Sequence, residues 1–319
     1  MRTKSGYQLT GHGWWNSIVH GVMLSIGILS TSGSIAQQDP MYSQYMFNTL
    51  AYNPAYAGSA DVLTAMALSR HQWVGFAGAP STQTLSVHSP LPGQTLSLGG
   101  TLIHDVTGPA KQSSAFIDAA YRIRTGTDTR LSFGLKGGIN FFQADIGSLS
   151  TVDYDPSNAS ISGKVLPNIG FGLFWHSPRY YVGLSAPKLL ENTIGADGGV
   201  VTNREFRHYF LMGGYVMDLN RDLKFKPSVM MRVVQGAPMS VDLNANFLLR
   251  DKVWFGGMYR LGSGLGFMAQ YRFNEQLRGG YAFDLTTTRI GAYNAGTHEI
   301  MVSYDLRFTQ GRTISPRYF

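Results

Sequence analysis

The sequence predicts an all-β chain, a transmembrane antiparallel outer-membrane β-barrel of about fourteen strands, and three observations carry that expectation. After Gln37 the apolar pattern repeats every two residues rather than every 3.6. Within the alternating segments, charge is confined to one parity. Only 14% of the residues are charged, against roughly 25% in a typical soluble domain, so the chain is short of the charge that a water-facing surface needs. With 38 glycines, 17 tyrosines and 18 phenylalanines, the composition argues against a disordered chain, a coiled coil or an ordinary cytosolic enzyme. A length of 319 residues would suggest two domains, but barrels run long as single units.

The elements follow in order. Arg2 and Lys4 lead into an apolar stretch at 18–29, then small residues and Ser34-Ile35-Ala36, the pattern of an export signal cleaved after Ala36. That stretch is well below the ~20 residues of a spanning helix, and no other stretch reaches that length. A membrane crossing must then be made by strands closed into a ring, because lipid cannot satisfy an open sheet edge. Residues 1–36 are thus expected to be a cleaved signal peptide, 37–60 an N-terminal periplasmic or plug segment, 61–308 the barrel and 309–319 a periplasmic tail.

Alternating segments lie near 61–70, 80–89, 94–104, 111–124, 129–142, 167–176, 179–187, 204–217, 222–234, 239–250, 252–261, 264–273, 275–286 and 297–308. Fourteen is an even number within the range of bacterial outer-membrane barrels. In the last segment Ile300, Val302, Tyr304, Leu306 and Phe308 share one face, and Glu299, Met301, Ser303, Asp305 and Arg307 the other. The connections sort by length, as they do in barrels with short periplasmic turns and longer outer loops. With the terminus inside, the first connection, the fifth near 143–166, the seventh near 188–203 and the last are long. Even ones are tight, such as Ser177-Pro178, Asp251 and Asn274. Gly262-Ser263 is the odd connection that stays short.

Chemical motifs are scarce. The formal net charge is +7, but the basic residues are scattered singly with no Lys/Arg cluster, so nucleic-acid binding is not expected. Cysteine is absent, which removes disulfides and thiol chemistry. No zinc pair, nucleophile elbow or phosphate loop in a strand-to-helix context occurs, so no catalytic residue, cofactor or metal is assigned. The run Asp153-Tyr154-Asp155-Pro156-Ser157-Asn158 has calcium-type oxygens, but it lacks the glycine and distal glutamate of an EF-hand and reads better as a polar loop. Charged residues on the expected inner parity are Asp118, Arg122, Lys136, Arg207, Lys224, Lys226, Arg232, Arg250, Arg260, Arg272, Arg278, Asp284, Glu299 and Arg307. Their cationic excess suits an anion-favouring channel or a wall that holds a polypeptide plug; the pattern does not choose.

Several short motifs bring a resemblance. They include Ser43-Gln44-Tyr45-Met46-Phe47-Asn48, Asn53-Pro54-Ala55-Tyr56-Ala57-Gly58, Arg70-His71-Gln72-Trp73, Lys226-Pro227-Ser228 and Tyr293-Asn294-Ala295-Gly296-Thr297-His298-Glu299. The chain resembles the PorP/SprF family of type IX secretion membrane proteins of Bacteroidota across essentially its whole mature length. The resemblance implies a non-enzymatic outer-membrane barrel in protein export. Its partners would be the periplasmic ring proteins and peptidoglycan-binding lipoprotein of the machine, or the C-terminal domain of a secreted surface protein such as a gliding adhesin. Tyr45, Phe47, Asn53, Pro54 and Tyr56 are the expected docking or plugging residues at the periplasmic mouth, with Arg70 and Trp73 beside them. The plainer reading makes Asn53-Pro54 and Ala57-Gly58 the turn into the barrel. A general diffusion porin for small solutes is the alternative function, and an outer-membrane hydrolase a third.

Overall fold

The computed structural model describes residues 40–145, 160–195, 201–306 and 318. The expected signal peptide and its cleavage site, the 153–158 run, and Arg307 and Phe308 lie outside them.

The strands are β1 (Leu63–His71), β2 (Ser81–Pro90), β3 (Leu96–Thr107), β4 (Ala110–Arg124), β5 (Arg130–Ala144), β6 (Ile161–His176), β7 (Tyr180–Ala186), β8 (Thr193–Gly195), β9 (Val201–Arg204), β10 (His208–Tyr215), β11 (Met217–Asp218), β12 (Leu223–Val234), β13 (Ser240–Leu249), β14 (Val253–Arg260), β15 (Gly264–Arg272), β16 (Leu277–Thr286) and β17 (Thr297–Leu306). Every neighbour pairs antiparallel. β1 pairs with β17, and β10 pairs with both β7 and β12, so the sheet closes on itself. β10 and β11 both pair with β12 and form one stave interrupted at Val216, which leaves fourteen staves around the ring. Among the described residues no helix is long and apolar enough to cross a membrane.

The alternation of the sequence becomes the two faces of the wall. In β17, Glu299, Met301, Ser303 and Asp305 are buried toward the lumen, and Ile300, Val302 and Tyr304 are exposed on the outside. In β5, Lys136 is buried while Leu135 beside it is 65% exposed. An exterior this apolar has lipid as its natural solvent. Leu135→Arg is therefore expected to cost about 2–4 kcal/mol at mid-depth, whereas Gln143→Arg, on the same parity near the outer rim, should cost about 0–1. Urea titrations of the folded fraction in bilayers check the contrast, and equal costs would mean that this face does not meet hydrocarbon.

Several expectations need correction. Arg207 and Arg250 do not point inward: Arg207 sits exposed in the loop before β10, with its Nε 3.6 Å from Glu191, and Arg250 is in the β13–β14 turn at φ 49°, opposite Asp222 at 3.8 Å. Parity fails there because a turn residue no longer obeys the pleat. The stave expected at 204–217 starts at His208, and the seventh connection instead holds the β8–β9 ribbon. Ile194 of that ribbon packs with Phe142, Ala144, Ile161 and Leu166 of the tall β5–β6 hairpin. The third connection is only Gly108-Pro109, because β3 and β4 run on to Thr107 and Ala110.

Candidate functional site

The segment before β1, expected as a periplasmic or plug segment meeting the periplasmic mouth, extends past that mouth. It runs inside the barrel and fills it, because its peptide groups and aromatic side chains find partners on the inward parity of the wall. The end of the barrel that carries the long odd-numbered loops is the outer one, and the segment's anchors can be followed from there downward.

The outer anchor is Glu299. Its carboxylate accepts the backbone N–H groups of Ser43 and Gln44, both at 2.9 Å, and one nitrogen of Arg70 at 3.0 Å. Asp284 takes the other Arg70 nitrogen at 3.0 Å and the Ser43 hydroxyl. One guanidinium and two peptide N–H groups thus offset part of the charge of the two carboxylates, as burying charge requires, while Arg70 Nε and one Asp284 oxygen make no hydrogen bond among the described residues. Nearby, the Tyr42 hydroxyl meets Thr84 Oγ1 at 2.6 Å, and the Tyr52 hydroxyl accepts the Tyr42 N–H at 2.9 Å. The Tyr42, Tyr45 and Tyr52 hydroxyls act as neutral hydrogen-bonding groups.

Midway, Tyr45 OH accepts from Asn244 at 3.0 Å, and Phe47 packs edge-on against Trp254. A single turn of helix, α1 (Thr49–Tyr52), presents the Leu50 carbonyl to Lys136 Nζ at 3.3 Å; the same ammonium lies 3.2 Å from Asp118. Asn53 then caps a 3₁₀ turn at Pro54–Tyr56, accepting the Ala55 N–H on its side chain while its amide donates to the Leu173 carbonyl, both at 2.9 Å. Asparagine suits such a cap and proline the first helical position. Gly134 of β5 lets the turn lie directly on the wall: a β-carbon there would overlap the Ala55 and Pro54 backbone. The Tyr56 ring meets His88 and Phe174 edge-on, each at 5.4 Å.

The inner rim completes the anchoring. Gly58, at φ +70° against Ser97, turns the chain toward β1 and donates its N–H to His88 Nδ1 at 3.1 Å. Arg122 binds the Gly58 carbonyl and Asp61, and Arg130 also reaches Asp61 at 2.8 Å. Burial works against the Asp61 carboxylate, but the two guanidinium groups outweigh it and hold its pKa below the usual value. The sign follows: a carboxyl with a lowered folded pKa stabilises above its unfolded pKa of about 3.9 and loses that contribution as pH falls through the folded value. Acid titration should loosen this rim below about pH 4, and Asp61→Asn should remove that acid step. Rim fluorescence followed by pH reads it out; an acid step unchanged in Asp61→Asn would assign it to another group.

Of the residues singled out by sequence, Tyr45, Asn53, Pro54 and Tyr56 are buried in the lumen, Phe47 is half-buried on Trp254, and Arg70 joins the outer anchor. Trp73 stands apart, in the β1–β2 loop at φ 50°, with its N–H 3.3 Å from Thr297 Oγ1. It edges a hollow of about 200 Å³ at the outer mouth, with Met41, Arg70 and Arg260. Tyr42, Ser43, His88 and Leu173 were not foreseen. Glu299 and Asp284 were legible as inward charges but not as the anchor. The spaces beside the segment are small, about 60 Å³ next to Tyr52 and Lys136 and about 30 Å³ next to Phe47 and Thr64. These are volumes for a water or two.

No curated protein matches the chain. Solved structures similar to it include a Pseudomonas aeruginosa FadL homologue, at 11% identity over 86% of this chain and 96% of that one with a TM-score of 0.45. The Acinetobacter baumannii outer membrane protein Omp33 is 8% identical over 77% of this chain and 99% of that one, also with a TM-score of 0.45. The family described as type IX secretion system membrane protein PorP/SprF matches residues 34–304, which takes in the lumen segment and nearly all of the wall that holds it. With the closed ring, the apolar exterior and this match together, the chain belongs to the PorP/SprF family of type IX secretion system membrane proteins and is an outer-membrane barrel.

Proposed function

We propose that this barrel serves type IX export as a closed docking component and not as a conduit. The observation behind the proposal is the Glu299 anchor: a segment held by a buried, hydrogen-bonded charge cluster at one end and by Asp61 at the other is built to stay in the lumen. In this reading Tyr45, Phe47, Asn53, Pro54, Tyr56 and Arg70 are plug residues, since a partner cannot touch what the wall covers. Docking then falls to the two mouths. The periplasmic rim faces the secretion ring and its peptidoglycan-binding lipoprotein, and the outer mouth beside Trp73 faces the C-terminal domain of a secreted surface protein. A family of secretion components also argues against catalysis by this chain.

Deleting the gene is expected to leave surface cargo inside the cell or loose in the medium. Loss of all type IX cargo would identify a core link to the ring, and loss of a single adhesin a dedicated escort; normal display of every cargo would sink the proposal. The diffusion-porin alternative differs in one measurement. The purified barrel should show little conductance in planar bilayers, and steady open-channel current would favour the porin.

A further inference from the structure

The last described residue returns to the barrel. Twelve positions after Leu306, where β17 ends, Tyr318 is buried at the periplasmic end against Val216, Leu248 and Trp254, with Phe47 of the lumen segment packed on the same cluster. Its carbonyl accepts from Lys226 Nζ at 2.7 Å. Lys226 is itself fully buried, with its ammonium over the rings of Trp254 (5.4 Å), Phe47 (5.5 Å) and Tyr181 (5.8 Å). Lys224 Nζ, tied to Asp251 at 2.7 Å, lies 5.4 Å over the Tyr318 ring.

This seat has two reading elements. Aromatic faces compensate a buried ammonium only in part, so its protons still require oxygen acceptors; the Tyr318 carbonyl is one that Lys226 meets here. The second cation sits where it favours an aromatic ring over an aliphatic one. A backbone carbonyl beside an aromatic side chain is the chemistry of a polypeptide segment. Phe47 contributes to both the seat and the lumen segment, so filling the one bears on the position of the other.

We propose that the pocket formed by Lys226, Lys224, Trp254 and Phe47 is a binding site for an aromatic residue of a polypeptide segment, filled in cis by Tyr318, and that its filling holds the periplasmic side of the lumen segment in place. The proposal does not depend on which export partner the barrel serves.

The test uses the full-length barrel in detergent and a fluorescently labelled peptide of the chain's last six residues, Ile-Ser-Pro-Arg-Tyr-Phe. Tyr318→Ala removes the ring from the seat and leaves only the backbone carbonyl to hold the cis tail, so the peptide should then bind saturably, about tenfold or more tighter than to the unaltered barrel, in which the intact tyrosine competes. Adding Lys226→Met should abolish that binding, and a peptide with alanine in place of its tyrosine should not bind. In bilayers, Tyr318→Ala should show flickering current that the peptide suppresses from the periplasmic side. No saturable binding to Tyr318→Ala, or equal binding to all variants, overturns the site; a barrel as silent as the unaltered one overturns the link to the lumen segment. If Lys226→Met fails to fold by heat-modifiability on gels, Lys224→Ala takes its place, with weakening of several-fold expected and unchanged affinity counting against the proposal.

Discussion

Glu299→Ala is expected to convert a closed barrel into a conducting one. The side chain lies in the lumen and contributes nothing to the β1–β17 or β16–β17 ladders, so the ring itself should still form. What is lost is the compensation of the outer anchor. Arg70 keeps Asp284 and the Ser43 hydroxyl but loses its second carboxylate, and the N–H groups of Ser43 and Gln44 lose their acceptor. Breaking a buried ion pair by removing one partner costs about 3–5 kcal/mol, roughly two to four orders of magnitude in the ratio of docked to released segment. Planar-bilayer recordings should change from near silence to frequent opening, while gel heat-modifiability stays that of a folded barrel. Glu299→Gln, which keeps the shape and one acceptor oxygen, should fall between the two. A silent Glu299→Ala channel would show that the lower anchors alone keep the lumen shut.

The second large effect is expected at Gly134. Its inward position touches the main chain of the 3₁₀ turn, not a side chain that can rotate away, and even an added methyl would overlap Ala55 N. Overpacking of this kind costs typically 1–3 kcal/mol and occasionally more. Displacing the turn would also break the Asn53 amide bond to the Leu173 carbonyl. Gly134→Leu should therefore lower the urea midpoint and raise conductance together. Gly137→Ala, three positions along the same strand with open space around its β-carbon, should change neither. If the two behave alike, the turn does not rest on β5 as described.

The two experiments probe parts of the molecule that were unequally legible. The wall could be read almost residue by residue, because each stave is a local pattern: Ile300, Val302 and Tyr304 face out and Glu299, Met301 and Ser303 face in for no reason beyond the pleat and the solvent on either side. Errors fell where the pleat ends. Arg207 and Arg250 were assigned inward by parity but lie in a loop and a turn.

The lumen was much less legible. Tyr45, Asn53 and Tyr56 could be singled out before β1, but not their partners. Asn53 reaches a carbonyl 120 positions away, and Ser43 reaches Glu299 across 256. No periodicity links such pairs, since they meet only after the ring has closed.

The sequence by itself determined the fourteen-stave wall, its lipid and lumen faces and its family. Period-two patterning, turn chemistry and the cost of charge in hydrocarbon all act over a few neighbouring residues. Only the tertiary structure decided that residues 40–60 fill the bore, that Glu299 is their outer anchor and that Tyr318 returns to Lys226. Those choices depend on which buried hydrogen-bonding groups and charges find each other at long range. An unpaired group inside a closed barrel is costly enough that the anchors are settled by what the opposite wall offers.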